Sequence, residues 1–149
     1  AVVRPGAEAL AEALRVAGSE VTVCPDADEG MGRTLAHAVR RAGETGGYVV
    51  ALADMPFIAP RAAREVAARL AGGAWIVAPV YRGERGHPVG FARALRGELE
   101  GLRGDAGARE VVKAHGARVE TFEAADATVL RDIDTLDALS SETDGPKAR

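Results

Sequence analysis

Short apolar runs alternate along the chain with longer stretches rich in Ala, Leu, Glu and Arg. The apolar runs predict strands, at residues 2–3, 21–24, 48–53, 75–79 and 119–122. The longer stretches predict helices, at residues 7–17, 34–42, 60–70, 92–102, 107–114 and 135–139. Strands that alternate with helices of about ten residues form a largely parallel sheet covered on both faces. The pattern therefore predicts an α/β domain with three layers.

Two of the apolar regions also indicate how their strands lie in the sheet. Residues 48–53 form a continuous apolar run between Gly47 and Asp54, the pattern of a strand that is buried on both faces. Residues 80–91 fit a hairpin, which adds an antiparallel element to the sheet. The length suits one core, so we assign residues 1–140 to one domain and 141–149 to a polar tail.

The composition narrows the class of protein. The formal net charge is −3, and the basic residues, nearly all of them arginine, are scattered along helical stretches. A nucleic-acid backbone needs a clustered positive surface, so we expect no nucleic-acid partner. The single Cys24 excludes an internal disulfide and a zinc site built from cysteines. No apolar run is long enough to cross a bilayer and no secretion leader is visible, so we expect a cytoplasmic protein without membrane contact.

Asp54 directly follows the run at 48–53, at the predicted carboxyl end of a strand. Ligands of open α/β sheets bind beyond these strand ends. A carboxylate held there suits Mg²⁺, which takes one or two carboxylates together with phosphate oxygens and water. Position alone is equally compatible with a residue that caps a turn.

Asp132 and Asp134 form a second acidic feature. In an extended segment residues two apart point to the same side, so both carboxylates share one face while Ile133 is buried on the other. Because a predicted helix starts at Thr135, a helix cap is the stronger interpretation of this segment by itself. Together with Asp54, the pair becomes a candidate metal site formed by separate strand ends.

Two glycine-containing segments could position a ligand. Residues 28–34 contain Gly30 and Gly32, which let the backbone approach a bound molecule, and the segment opens a helix whose N–H groups can bind anions. A plain structural turn fits this segment equally well. In residues 86–91, glycine and proline frame His87, so its position is sterically specified, although a lone histidine is usually structural.

The order and spacing of several segments carry a resemblance to a known family. These segments are residues 25–26 with 30–35, 51–57, 78–83, 86–91, 104–109 and 130–135. Over about residues 1–140 the chain resembles the MobA-like NTP transferases, most closely the molybdenum cofactor cytidylyltransferases. The resemblance implies a Rossmann-like nucleotidyltransferase domain with a mostly parallel sheet. Such a domain transfers a nucleoside monophosphate from an NTP to an acceptor phosphate and releases pyrophosphate.

The resemblance also implies roles for individual residues. Asp54 would hold Mg²⁺ at the α-phosphate, with Asp134 as its partner and Asp132 as the alternative. The residues that would lie against the nucleotide base are Gly30, Met31, Gly32 and Thr34. Those of the acceptor-side strand would be Gly86, His87 and Pro88. Asp105 and Arg109 belong to the matching segments, yet the sequence gives them no role beyond a local ion pair or a loop-stabilising contact.

The substrates follow from the same resemblance. We expect CTP, with GTP as the alternative, and a small phosphorylated acceptor, with molybdopterin favoured over a sugar phosphate. Such a protein would also make transient contact with a molybdoenzyme or a cofactor chaperone.

One hallmark of the family has no match. The Leu-Ala-Ala-Gly phosphate loop, followed by Arg and Lys, is not found after the first strand. We therefore expect a strand, a loop and a helix to precede Ala1, and the catalytic site of these residues to be incomplete. A catalytically incomplete nucleotide-binding domain is thus the alternative to an active enzyme. A receiver-like module that accepts a phosphoryl group on Asp54 is disfavoured, because the paired acids and the lysine that it needs are not visible.

Overall fold

The computed structural model describes residues 1–133. Its helices are α1 (Glu8–Val16), α2 (Met31–Ala42), α3 (Pro60–Ala71), α4 (Arg96–Glu100) and α5 (Arg109–Ala114). Its strands are β1 (Val2–Val3), β2 (Thr22–Val23), β3 (Gly47–Val50), β4 (Ile76–Tyr81), β5 (Glu84–Arg85), β6 (Val89–Ala92) and β7 (Val119–Glu123). The predicted order of elements is confirmed up to β7, whereas the predicted helix at 135–139 and the tail at 141–149 lie outside the described residues. No helix among residues 1–133 is both long and apolar enough to cross a lipid bilayer.

Five strands of the described chain form one mixed sheet, in the order β3-β6-β4-β5 with β7 paired to β4. β4 and β7 are parallel, whereas β6 is antiparallel to both β3 and β4. β1 and β2 form a separate parallel pair. The α/β class is confirmed. Antiparallel pairing has a larger share than predicted, because the return strand of the hairpin inserts between β3 and β4 instead of lying at an edge.

Helices cover both faces of this sheet, so the predicted layers are present. Side chains alternate along β4, which points Ile76 to one face and Val77 to the other. Ile76 packs in a core with Phe91 of β6 and with buried residues of α2 and α4. Val77 packs with Val66 of α3 on the opposite face. The sheet is therefore a rigid base for the residues that follow its strands.

The strand predicted at 48–53 is shorter and more exposed than expected. β3 ends at Val50, and Val49 is 40% exposed. Within the described residues, backbone pairing of β3 with β6 stops at Val50, opposite Val89. Asp54 consequently lies in a turn beyond the strand, not directly at its end.

Candidate active site

Asp54 lies in a turn that is held in place through its neighbours. The Met55 side chain is buried (6% exposed), and the Met55 N–H donates to the Leu52 carbonyl at 3.3 Å. These contacts fix the backbone of the turn, while the Asp54 side chain is exposed. Within residues 1–133 its carboxylate makes no hydrogen bond or ion pair. Its oxygens are therefore available to a ligand.

The segment that carries Asp132 runs beside this turn. The Ile133 N–H donates to the Asp54 carbonyl at 2.7 Å, and Ile133 is partly buried while Asp132 is exposed. The structure thereby brings two of the three predicted metal ligands to the same region beyond β3. Asp134 lies outside the described residues, so its part in a metal site stays a prediction.

Two exposed carboxylates on adjoining segments suit a hard divalent cation. Mg²⁺ usually keeps only one or two protein carboxylates and fills its other positions with phosphate oxygens and water. Within the described part of the chain, no group of three or more His, Cys, Asp or Glu side chains could hold a metal through protein ligands alone. The donor set of Asp54 and Asp132 therefore fits a metal that arrives with phosphates, and does not fit a closed structural site.

A bulge separates β5 from β6, which together form the second arm of the hairpin and pair antiparallel with β4. The register of β4 with β5 and the register of β4 with β6 differ by two residues, so two additional residues protrude from the arm. Such bulges are common beside active sites because they redirect a side chain. Gly86 and Pro88 are buried, and His87 is the partly exposed member of the bulge. That all three contact an acceptor stays a prediction, and His87 offers the side chain that a ligand could reach.

The bulge is fixed to the short 3-10 helix Ala127–Leu130. The His87 N–H donates to the Val129 carbonyl at 2.8 Å. A Cβ at Gly86 would lie 2.1 Å from the oxygen of the same carbonyl, so only glycine fits at this position. Because this helix leads directly to Asp132, the predicted acceptor side and the acidic residues are mechanically connected. No signal in the sequence identifies Val129 as this contact.

His87 is neutral at pH 7 and lies near two opposite charges. Its Nδ1 is buried and has no hydrogen-bond partner within the described residues. Burial lowers the pKa of His87, and the positive charge of Arg109 lowers it further. Hydrogen bonding with the Val50 backbone and the negative charge of Asp54 act in the opposite direction on this pKa. The charges of Asp54 and Arg109 therefore both act on the His87 ring. The sequence alone does not reveal this effect of Arg109.

The glycine segment predicted to bind the base forms the start of α2, earlier than expected, and packs on the loop at 103–107. Gly30 has a φ of +107°, and a Cβ there would lie 2.5 Å from Oδ1 of Asp105. The Gly32 N–H donates to the Gly104 carbonyl at 2.7 Å. This packing is one physical reason for the glycines, and it gives Asp105 the loop-stabilising contact that the sequence allowed.

Thr34, in the same segment, lines an open groove of about 580 Å³. The opposite walls of the groove come from α1 and the end of β1, and they include Val2, Val3, Arg4 and Leu10. Its size is in the range of small-molecule sites. Met31 is 52% exposed, whereas Gly32 is buried under the neighbouring loop. Met31 and Thr34 are thus the members of the predicted base segment that offer side chains to a ligand.

A curated relative and several solved structures are similar to this chain. PucB of Bacillus subtilis (strain 168), a purine catabolism protein, is 35% identical over 117 residues. The match covers 76% of this chain and 56% of PucB, so the chain spans little more than half the length of this relative. The solved structure of Rv0371c from Mycobacterium tuberculosis H37Rv is 27% identical with a TM-score of 0.78, over 97% of this chain and 75% of that one.

Two further structures extend the comparison. Rv0371c in complex with manganese is 28% identical with a TM-score of 0.76, over 94% of this chain and 74% of that one. A nucleotidyl transferase from Methanothermobacter thermautotroptrophicus (Mth528) has a TM-score of 0.74 over 96% of this chain and 71% of that one. At 21% identity, this second likeness shows the fold alone.

A family model also matches this sequence. The model of the MobA-like NTP transferase domain matches residues 1–119. That range contains the Asp54 turn, the start of α2 with its packed loop, and the bulge at His87. The resemblance inferred from the spacing of these segments is thereby confirmed. This chain belongs to the family of MobA-like NTP transferase domains.

Proposed function

We propose that this chain belongs to a Mg²⁺-dependent nucleotidyltransferase that transfers cytidine monophosphate from CTP to the phosphate of molybdopterin and releases pyrophosphate. The observation that carries the proposal is the hydrogen bond from the Ile133 N–H to the Asp54 carbonyl, because it joins the segment that carries Asp132 to the Asp54 turn. Membership of the family supports nucleotidyl transfer. The manganese complex of a relative supports a divalent metal.

The chemistry of such a transfer needs alignment more than proton transfer. An oxygen of the acceptor phosphate forms a bond to the α-phosphorus while the bond from that phosphorus to the bridging oxygen breaks, and pyrophosphate leaves with the electron pair. The acceptor phosphate is already ionised, so no general base is needed. Asp54 would hold Mg²⁺ at this point, with Asp134 as its partner and Asp132 as the alternative. The metal would neutralise charge that develops on the phosphates.

The start of α2 is the proposed contact for the nucleotide. Met31 and Thr34 would lie against the base, and the packed loop at 103–107 would keep this segment from moving away. The bulge at His87 would face the acceptor. We place the reaction in the cytoplasm, with transient delivery of the product to a molybdoenzyme or a cofactor chaperone.

A catalytically incomplete nucleotide-binding domain is the second candidate. GTP in place of CTP, and a sugar phosphate in place of molybdopterin, are the alternatives for substrates. They are tested by exchange of one substrate at a time.

The central test replaces the proposed metal ligand. Pyrophosphate release from CTP with molybdopterin, and binding of CTP with Mn²⁺ by calorimetry, are measured for the wild type and Asp54→Asn. Loss of the carboxylate should slow release by at least about a hundredfold, the scale on which lost electrostatic stabilisation slows a reaction. Glu120→Gln, which removes an exposed charge on β7, is the matched control and should change neither reading.

The possible outcomes separate the two candidates. Nucleotide binding without release of pyrophosphate by the wild type favours the incomplete domain. Undiminished release by Asp54→Asn removes Asp54 from the mechanism and with it the proposed metal site.

A further inference from the structure

The 3-10 helix Ala127–Leu130 connects the two sides of the candidate site. Its Val129 carbonyl accepts the hydrogen bond from the His87 N–H at 2.8 Å, which joins the helix to the bulge on the acceptor side. Its last residue leads directly into residues 131–133, the acidic segment, which carries the exposed Asp132. A movement of this helix would therefore displace the bulge and the acidic segment together.

The acidic segment has two contacts with Asp54 and the residues that follow it. The Ile133 N–H donates to the Asp54 carbonyl at 2.7 Å. The Arg131 guanidinium lies over the Phe57 ring, 5.6 Å from the ring centroid. These contacts hold one end of the segment, and the 3-10 helix holds the other end.

Asp126 fixes the start of this helix through three polar contacts. Its Oδ1 accepts a hydrogen bond from the Thr128 N–H at 3.0 Å and a second one from the Thr128 hydroxyl. Its Oδ2 accepts a hydrogen bond from the Arg61 guanidinium of α3 at 2.7 Å. One oxygen therefore caps the helix while the other joins it to α3.

The α3 side of this helix is incompletely packed. An open groove of about 400 Å³ lies between α3 and residues 122–129, and its walls include Ala62, Phe122 and Val129. Arg61 and Asp126 line the same groove, so the ion pair between them joins its two walls. On this side, the position of the helix depends on the polar contacts of Asp126.

We propose that Asp126 is a positioning residue for nucleotidyl transfer, because its cap on the 3-10 helix holds the bulge and the acidic segment in place relative to each other. The inference rests on the function proposed above, and Asp126 itself would touch neither substrate nor metal. In-line transfer requires the acceptor phosphate to be aligned with the α-phosphate, and a misplacement of about 1 Å can slow a reaction about a hundredfold. A residue that sets the position of both segments acts on this alignment.

Hydrogen exchange measures the positioning without any substrate. In the 149-residue chain, Asp126→Ala should accelerate exchange of the His87 and Ile133 amides about threefold to thirtyfold, the scale of a lost helix cap. The Gly32 amide donates to the Gly104 carbonyl, a hydrogen bond that involves no residue of this helix. It is the internal reference and should stay within about twofold of the wild type.

Two further variants separate the cap from other effects of the substitution. Asp126→Asn keeps an oxygen that can accept from the Thr128 N–H, so exchange should return to within about threefold of the wild type. Asp26→Ala is the matched control, because Asp26 also precedes a 3-10 helix, Ala27–Glu29, but its side chain makes no capping hydrogen bond. This control should leave exchange of the His87 and Ile133 amides unchanged.

Steady-state kinetics test the consequence for the reaction, as pyrophosphate release from CTP with molybdopterin at saturating Mg²⁺. Asp126→Ala should raise the KM for molybdopterin about threefold to thirtyfold, because the bulge is displaced. The KM for CTP should stay within about twofold, because the proposed base segment lies at the start of α2. Asp126→Asn should restore the KM for molybdopterin. A smaller folded fraction alone would lower the rate without changing either KM.

Each outcome decides the proposal. Equal acceleration of all three amides, unchanged exchange at His87 and Ile133, or an unchanged KM for molybdopterin would overturn it. Selective acceleration of the His87 and Ile133 amides, in a protein whose wild type releases no pyrophosphate, would uphold the positioning by Asp126 and reject the proposed nucleotidyl transfer. The two failures are therefore distinguishable.

Discussion

Replacement of Gly86 by alanine tests the connection between the bulge and the acidic segment. The added Cβ would lie 2.1 Å from the Val129 carbonyl oxygen, 2.7 Å from its carbonyl carbon and 3.0 Å from its Cβ. Two of these atoms are backbone atoms, which cannot rotate away as the end of a long side chain can. The 3-10 helix Ala127–Leu130 must therefore move away from the bulge, and the hydrogen bond from the His87 N–H to Val129 must lengthen or break.

The expected loss of stability combines two effects. Insertion of a methyl group into a well-packed position costs about 1–3 kcal/mol. Loss of the hydrogen bond at 2.8 Å adds about 1 kcal/mol. A total of about 2–4 kcal/mol is a large part of the 5–15 kcal/mol that typically stabilises a domain. For a chain of this length, the middle of that range corresponds to a fall in Tm of roughly 6–12 °C.

Urea titration followed by circular dichroism, with a thermal scan, measures both quantities. Gly97→Ala is the matched control, because Gly97 lies exposed in α4 and a Cβ there would meet no atom within 4 Å. Alanine at that helical position should stabilise the chain by up to about 1 kcal/mol. If Gly86→Ala leaves the free energy of unfolding within about 0.5 kcal/mol of the wild type, the range of ordinary surface substitutions, the Val129 contact is not the reason for this glycine.

Two further predictions concern His87 and Gly30. Because burial holds the pKa of folded His87 below the usual value of about 6.5, the unfolded chain takes up a proton first, and the free energy of unfolding should fall as pH drops from about 6.5 to the folded pKa and then level off. His87→Gln should remove this dependence, and equal slopes for both proteins in urea titrations between pH 7.5 and 5.5 would contradict it. Gly30→Ala should lower the free energy of unfolding by about 1–3 kcal/mol more than Gly73→Ala, since both positions have positive φ but only Gly30 has atoms within 4 Å. Equal losses in the two variants would show that backbone strain alone explains the effect.

The elements of the fold could be predicted from local sequence pattern, whereas their contacts could not. Alternation of apolar runs and helical stretches predicted the α/β class and the order of elements up to β7. The strand predicted at 48–53 was nevertheless too long and too buried, because an apolar run does not reveal where strand pairing stops or how exposed the strand is. β3 ends at Val50, so the backbone of the Asp54 turn, rather than the strand, sets the position of the carboxylate.

For the candidate site, too, the sequence pattern identified residues but not their contacts. The motif spacing identified Asp54, His87 and the glycines, and the family match agrees with that resemblance. The reasons for Gly30 and Gly86 lie in Asp105 and Val129, which are distant in sequence. Distances between remote segments follow from packing, which a single sequence does not display.

The hydrogen bond between Ile133 and Asp54 also bears on when the protein becomes competent during its synthesis. Asp54 leaves the ribosome long before Asp132, and domains acquire their structure progressively as the chain emerges. This contact can form only after β7 has docked and the segment behind it has folded back on the turn. Until then the nascent chain would lack part of the metal site proposed above, and the proposed metal would have only Asp54 to bind. Late closure of this contact would thus separate the folding of the nascent chain from its first encounter with substrate.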